Sequence, residues 1–446
     1  MVNSNGSNEA LSSFLASTVP MGTESFTPLE NLRRRYPKAI LPVDERDHHS
    51  FMTAMQLLPS RKSYQELHAL ADFFTEQTAG KRLGKHKEQL RRHWEIVVLN
   101  LSRAALYHHW LYISLKKNSY TTEYWLKKYG FSYSCMKTIF DYLVENDLVE
   151  ARMGAQYSKG AMLTRVHPKE QLKEHLWQFF LDAEEPIEPP YLRINKADGS
   201  WGDVIQQLPS DHTELVEMTR INEFLKGHSW ACKGPVRMIY NGDIMGGGRL
   251  STPFQNIPCR RYSLRLCTKI DGQDICEVDF SANHLRLYMA LIEEEDAGED
   301  PYEAICANGG WEASYRSSVK WFITVAMGAG SHTLLQGAPG ARDSAKSACY
   351  RYGISSEQFD AIEAATLATF PKLGLYKGFG LHAQAFEGQI LKDVMLQGVE
   401  KGIVCLPVHD AIAVQVAHKD WAVAAMTETW ARHVHGKART RVKVST

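Results

Sequence analysis

Two apolar, strand-like stretches, far apart in the chain, each run into an aspartate. One is Ile275-Cys276-Glu277-Val278-Asp279-Phe280-Ser281. The other is Ile403-Val404-Cys405-Leu406-Pro407-Val408-His409-Asp410, followed at once by the apolar Ala411-Ile412-Ala413-Val414. Short apolar runs bounded by polar residues read as buried strands, so His409 and Asp410 fall at the turn between two of them. After Asp279 the pattern turns helical, through His284-Leu285-Arg286-Leu287-Tyr288-Met289-Ala290-Leu291. Strands and helices mixed in this way make the C-terminal half α+β.

At 446 residues the chain needs more than one core. Its 44% hydrophobic and 23% charged residues fit a soluble globular protein, and no run of eighteen apolar residues offers a membrane span. Residues 1–28, rich in Ser, Asn, Gly and Thr without a basic start or apolar core, read as a disordered tail and not a signal peptide. The eight cysteines contain no C-x-x-C pair, which argues against structural zinc and for reduced thiols in a cytoplasm. Net charge is zero but unevenly spread: residues 81–137 hold 12 Lys/Arg against 3 Asp/Glu. Such a stretch is either a nucleic-acid face or a solvated helix surface.

Residues 90–115 read as one largely apolar helix. Residues 121–130 and 136–146 then form two short helices around a glycine-containing turn, the second opened by Ser132 and Ser134 as candidate caps. Residues 148–152 and 161–166 alternate like a hairpin. Helix, turn, helix and hairpin together look like a winged helix, a unit that sets its second helix in a DNA groove. The alternative is a packing domain that touches no nucleic acid. Lys116, Lys117, Lys127, Lys128 and Lys137 crowd this segment and favour binding. Residues 168–190 carry a helix and an acidic, proline-bearing linker, and 210–228 a further helix.

A lone aspartate at a strand end usually caps or faces solvent. Two of them are the minimal set for holding two Mg²⁺ ions over one reacting phosphate, since that ion prefers hard oxygen ligands. Their surroundings sharpen the reading. Gly248-Arg249-Leu250-Ser251, Gln255-Asn256-Ile257-Pro258, Val278-Asp279-Phe280-Ser281 with Leu285-Arg286, and Val408-His409-Asp410 resemble family A DNA polymerases in order and approximate spacing. Between the aspartates, Arg316-Ser317-Ser318-Val319-Lys320, followed by Met327-Gly328, has the R-x-x-x-K spacing of that family's fingers helix. Four residues apart, the two cations share a helix face. The resemblance spans roughly residues 237–421.

It implies a right-hand palm and fingers over 237–446, preceded by a linker with short thumb-like helices over 168–236; the helical, winged-helix nucleic-acid-binding region read above from the residues spans 29–167. Asp279 and Asp410 would bind two Mg²⁺ (Mn²⁺ substituting), with Phe280 offering a backbone carbonyl. Arg316 and Lys320 would bind the triphosphate, Lys320 also as proton donor to pyrophosphate. His284, Thr324 and Met327 would flank the nucleotide. Arg249, Gln255, Asn256, Arg286, Gln384 and His409 would meet the nucleic acid, where minor-groove acceptors look alike in every base pair. Lys127, Lys128 and Lys137 would bind it from the winged helix.

The departures from the family concern the sugar. His284 stands where its DNA polymerases carry a ribose-excluding Glu. Met327 or Gly328 stands for a supporting Tyr, Thr324 for a Phe, and Ala411 for a second acid. The single-subunit phage RNA polymerases also lack the Glu, so sugar choice stays open. The expected activity is DNA-directed DNA synthesis by a plasmid, phage or mobile-element enzyme without a proofreading nuclease, with primer–template DNA and nucleoside triphosphates as partners. RNA polymerase, primase and terminal transferase are the rivals on the same scaffold, with RNA as a further partner. A catalytically inactive DNA-binding replication or regulatory protein is the rival of another class.

Overall fold

The computed structural model describes residues 49–50, 63–107, 109–122, 126, 130–154, 156–157, 160–161, 164–195, 201–203, 208–241, 247–257, 259, 263–295, 298–330, 338–434 and 439–446. The tail expected over residues 1–28, and Lys127 and Lys128, lie outside them. The chain forms two compact units, Met1–Pro186 with Trp230–Gly234 and Asn256–Thr268, and Ile187–Ser229 with Pro235–Gln255 and Lys269–Thr446. Both mix helix and strand. Of residues 168–236, 168–186 and 230–234 fall in the first unit and 187–229 and 235–236 in the second.

The first unit holds β1 (His49–Ser50), α1 (Tyr64–Thr78), α2 (Lys85–Tyr107), β2 (Trp110–Tyr112), α3 (Ser119–Thr122) and α4 (Tyr133–Glu145). Then come β3 (Val149–Arg152), β4 (Gln156–Tyr157), β5 (Gly160–Ala161), β6 (Arg165–Pro168) and α5 (Glu170–Asp182). An aromatic cluster joins its helices. Phe74 of α1 stacks on Trp94 of α2 at 4.5 Å, Tyr142 of α4 meets both rings edge-on, and Trp94 Nε1 donates to Thr78 Oγ1 at 2.9 Å. The hairpin expected after α4 is present as antiparallel β3 and β6, but β6 also pairs with β2, in the order β1-β2-β6-β3. So the apolar stretch 90–115 is not one helix: it ends at Tyr107 and re-emerges as a strand buried on both faces, a pattern whose periodicity cannot be told from a buried helix. Ser132 stands at the N-cap of α4 without a side-chain cap bond.

That N-cap is instead held from α2. The Ser132 N–H donates to His93 Nε2 at 2.8 Å, while His93 Nδ1 bonds the Gln89 carbonyl at 2.7 Å. Only a neutral imidazole accepts at one nitrogen and donates at the other. Burial lowers the pKa of His93 and of His167, whose Nδ1 bonds the His109 carbonyl at 3.0 Å. With folded values below the unfolded one of about 6.5, their contribution to stability is complete above that pH and is lost as pH falls toward the folded values. Urea midpoints of wild type and a His93→Gln/His167→Gln variant, followed from neutral pH to mild acid, are expected to converge as the pH falls. A gap that stays constant would show that neither histidine is held neutral.

The second unit is built around one long helix, Phe379–Lys401. Its elements are β7 (Leu192–Asn195), β8 (Trp201–Asp203), α6 (Thr213–Lys226), β9 (Arg237–Asn241), β10 (Gly247–Ser251), β11 (Lys269–Ile270), β12 (Gln273–Phe280) and α7 (Asn283–Leu291). They continue with α8 (Pro301–Asn308), α9 (Arg316–Gly328), α10 (Ala341–Tyr350), α11 (Ser356–Thr369), α12 (Phe379–Lys401), β13 (Leu406–Val408), β14 (Ala411–Gln415), α13 (Lys419–His433) and β15 (Val442–Ser445). One sheet runs β10-β9-β7-β8; the other runs β11-β12-β14-β13, with β15 also pairing β12. α12 packs on α6, α7, α9, α13 and β10, which is why its buried residues lie on several faces. Tyr288 of α7 stacks on Phe379 at its start, 4.3 Å between centroids.

A buried lysine paired with two carboxylates fixes α12 to α6. Lys392 Nζ reaches Glu214 Oε2 at 2.7 Å and Glu217 Oε2 at 2.5 Å, with only 4% of its side chain exposed. Burial opposes its charge, but the two carboxylates outweigh that and raise its pKa. Lys392→Met would strand two carboxylates, a loss of about 3–5 kcal/mol. Urea denaturation should show a midpoint well below wild type; an unchanged midpoint would mean that the carboxylates do not need the lysine.

Candidate active site

Strand pairing brings the two aspartates together. In the β12–β14 ladder Asp279 lies opposite Ala411, and in the β13–β14 hairpin Val408 lies opposite Ala411, so His409 and Asp410 are the two turn residues. His409 takes φ +57°, the left-handed conformation such tight hairpins require. The Phe280 N–H donates to the Asp410 carbonyl at 3.3 Å and fastens the turn to the end of β12. Burial, then the charges of Asp410 and Glu277, push the Asp279 carboxyl up to about 7 against the pull of Lys320. Asp410 is raised too, by burial and then Glu387, with His284 and Arg249 opposing.

Glu387 was not among the sequence candidates. It lies on α12 with 3% of its side chain exposed, 3.0 Å from His284 Nε2 through Oε2 and 4.0 Å from Arg249 Nε through Oε1. Asn283 Nδ2 donates to the same Oε2 at 3.2 Å, and Trp430 Nε1 donates to Asn283 Oδ1 at 3.3 Å. Burial would raise the Glu387 pKa, but His284, Arg249 and Asn283 more than offset it, so the carboxyl is held below its ordinary value. The sequence did carry a signal: Ala383, Glu387, Ile390, Leu391 and Val394 share the buried side of one helix, where an acid needs partners. Arg249 Nη2 also donates to His409 Nδ1 at 3.1 Å, so the hairpin turn joins the network.

Two glycines set this spacing. Gly388 of α12 packs on Gly248 of β10 so closely that a Cβ at 388 would lie 1.9 Å from the Gly248 carbonyl oxygen. Their neighbours Glu387 and Arg249 are thereby brought within reach.

On α9, Lys320 and Thr324 are exposed on one face, the Thr324 hydroxyl donating to the Lys320 carbonyl at 2.8 Å. Three other candidates are placed differently from expectation. Met327 is buried, 3% exposed, because its place on α9 faces the core. Arg316 is not open to a triphosphate: its Nε and Nη2 both bond Asp300 Oδ2, at 2.7 and 2.6 Å, and its guanidinium lies 5.2 Å from the Tyr302 ring. Arg286 is fully buried and donates to the carbonyls of Ser281, Gly298, Glu299 and Arg439, so it clamps loops together and does not face nucleic acid. Gln255 is half-buried and donates to Ser251 Oγ at 3.1 Å, Asn256 is exposed, and Gln384 is half-buried one turn before Glu387.

In the first unit, acids within and outside the basic stretch engage part of it. Arg91 meets Asp72 and Glu95, Lys87 meets Glu76, and Lys137 is bonded by both Asp141 oxygens. Lys137 is thus paired within its own helix, an exposed contact of the weak surface kind. Lys81, Lys85, Arg92, Lys116 and Lys117 are exposed.

Asp279 and Asp410 suit a hard dication: both are carboxylates, adjacent, half-buried and mutually repelling, a conflict that a cation between them relieves. Among the described residues no group of three or more His, Cys, Asp or Glu is arranged as a metal site, so the remaining ligands would be a backbone carbonyl, substrate oxygens and water. No helix among the described residues is long and apolar enough to cross a membrane.

No protein-family model matches the chain, and no curated protein does. Among solved structures it is similar to the POL domain of Pol1 from M. smegmatis, in complex with DNA primer-template and dNTP. The two share 13% identity over 85% of this chain and 65% of that one, at a TM-score of 0.29, too low to assign a common fold.

Proposed function

We propose that the chain is a nucleotidyltransferase that extends a nucleic-acid 3′-hydroxyl, and specifically a DNA-directed DNA polymerase. The adjacency of Asp279 and Asp410 at one sheet end, with Lys320 close enough to pull on Asp279, carries this reading. In the reaction the 3′-oxygen attacks the α-phosphorus, the α–β bridging P–O bond breaks, and pyrophosphate leaves. Asp279, Asp410 and the Phe280 carbonyl would hold two Mg²⁺, which when bound lower the pKa of the attacking hydroxyl and neutralise phosphate charge. Lys320 would meet the triphosphate and give a proton to the departing pyrophosphate. Arg316 would have to leave Asp300 to join it. His284, held by Glu387, would face the sugar, and Arg249, Gln384 and His409 the primer terminus.

Lys320→Ala is expected to raise the KM for nucleotide and lower kcat, with a loss of about 10²-fold in kcat/KM. The variant removes a charge that meets phosphate both in the ground state and as charge builds in transit. Steady-state incorporation kinetics test it; unchanged constants would take α9 out of the nucleotide site.

A further inference from the structure

Solvent-exposed aromatic side chains are scarce on the second unit, and they are not scattered. Trp321 is 41% exposed, Tyr350 74% and Tyr352 49%, and no other aromatic among the described residues is as open. Trp321 lies on α9, one residue beyond Lys320. The two tyrosines fall at and just past the end of α10, on either side of Arg351. The Trp321 and Tyr352 rings stack across the two elements, with centroids 4.3 Å apart and planes 14° from parallel. Single exposed apolar residues are ordinary on a protein surface, whereas a preassembled pair of parallel rings left in water calls for a partner.

We propose that Trp321, Tyr352 and Tyr350, with Arg351, form a stacking platform for single-stranded DNA. Nucleobases are flat π systems that stack on such rings whatever their sequence, and Arg351 is exposed beside them to meet a phosphate. The nearby cations Arg342 and Lys346 are differently employed. Arg342 bonds Glu363 and Asp360, and Lys346 bonds Asp360 at 2.8 Å, so they brace α10 on α11. A folded protein partner is disfavoured by size: two stacked rings and a tyrosine fall far short of the roughly 800 Å² per side of a stable interface. The platform needs neither metal nor triphosphate, so it goes beyond the proposed nucleotidyl transfer and stands if that reading fails.

The test is fluorescence anisotropy with the full chain and a short labelled oligo-dT, against an abasic strand of equal length. Trp321→Leu/Tyr352→Leu keeps the apolar bulk and removes the π faces. It is expected to weaken oligo-dT binding about tenfold or more while leaving the abasic strand and the salt slope unchanged. Trp321→Phe should restore most of the affinity. Arg351→Ala should instead lower the salt slope by about one on both strands. A Leu/Leu variant that binds oligo-dT as tightly as wild type overturns the proposal. So does a wild type that binds oligo-dT no better than the abasic strand. Equal melting temperatures for wild type and both aromatic variants tie the affinity change to the lost rings.

Discussion

Asp279→Asn and Asp410→Asn are each expected to abolish nucleotide incorporation while leaving the protein folded and able to bind DNA. The substitution keeps the side chain's shape and removes one of the two charges that would hold the metals. Bound metal contributes several kcal/mol of transition-state stabilisation, so the rate should fall by about 10³-fold or more. Stability should move the other way. Asp279 and Asp410 are half-buried carboxylates whose pKa values burial raises, and the Asp410 charge adds to the rise at Asp279, so deleting one charge relieves repulsion. Each Asn variant should therefore melt at or above the wild-type temperature when divalent cations are chelated. Incorporation at the wild-type rate by the double-Asn protein would remove the carboxylates from the mechanism; a lower melting temperature would show that they stabilise the fold.

Gly388→Ala is expected to damage both fold and site. The new Cβ would fall 1.9 Å from the Gly248 carbonyl oxygen and 2.9 Å from its carbon, and both are backbone atoms that cannot swing aside. α12 and β10 would have to separate, which we expect to lower stability by about 3 kcal/mol or more, at the upper end of overpacking effects. The separation would also pull Glu387 from Arg249, now 4.0 Å apart, and release the network that holds His284 and His409. Urea denaturation and incorporation assays on one preparation read both effects. A variant with wild-type midpoint and activity would show that the two backbones do not need their close contact.

The apolar runs leading into Asp279 and Asp410 were legible in the sequence because each is short with a polar terminus, and the structure joins them through β14, which pairs β12 on one side and β13 on the other. The mixed α+β class followed from the same patterns. Tertiary partners were not legible. Arg316 and Lys320 share helical spacing, yet Asp300, sixteen residues earlier, takes Arg316 and leaves Lys320 exposed. Arg286 looked like a charged group for nucleic acid, but four backbone carbonyls from three chain segments surround it, and no local pattern announces them. Glu387 was hidden for the opposite reason. Its partners His284 and Arg249 lie more than a hundred residues away, so its meaning emerges only when α12 packs on β10 and α7. The strand at Trp110–Tyr112 was absorbed into a helix because a run buried on both faces shows no alternation.

Primer extension with the purified full chain tests the proposed activity most directly, run with dNTPs or NTPs, with and without a template strand, in Mg²⁺ or Mn²⁺. The expected result is template-dependent lengthening of the primer by dNTPs, absent from the Asp279→Asn/Asp410→Asn protein. Failure to lengthen any primer with either nucleotide set in either metal would contradict it, and would leave the paired aspartates as a feature of the fold alone.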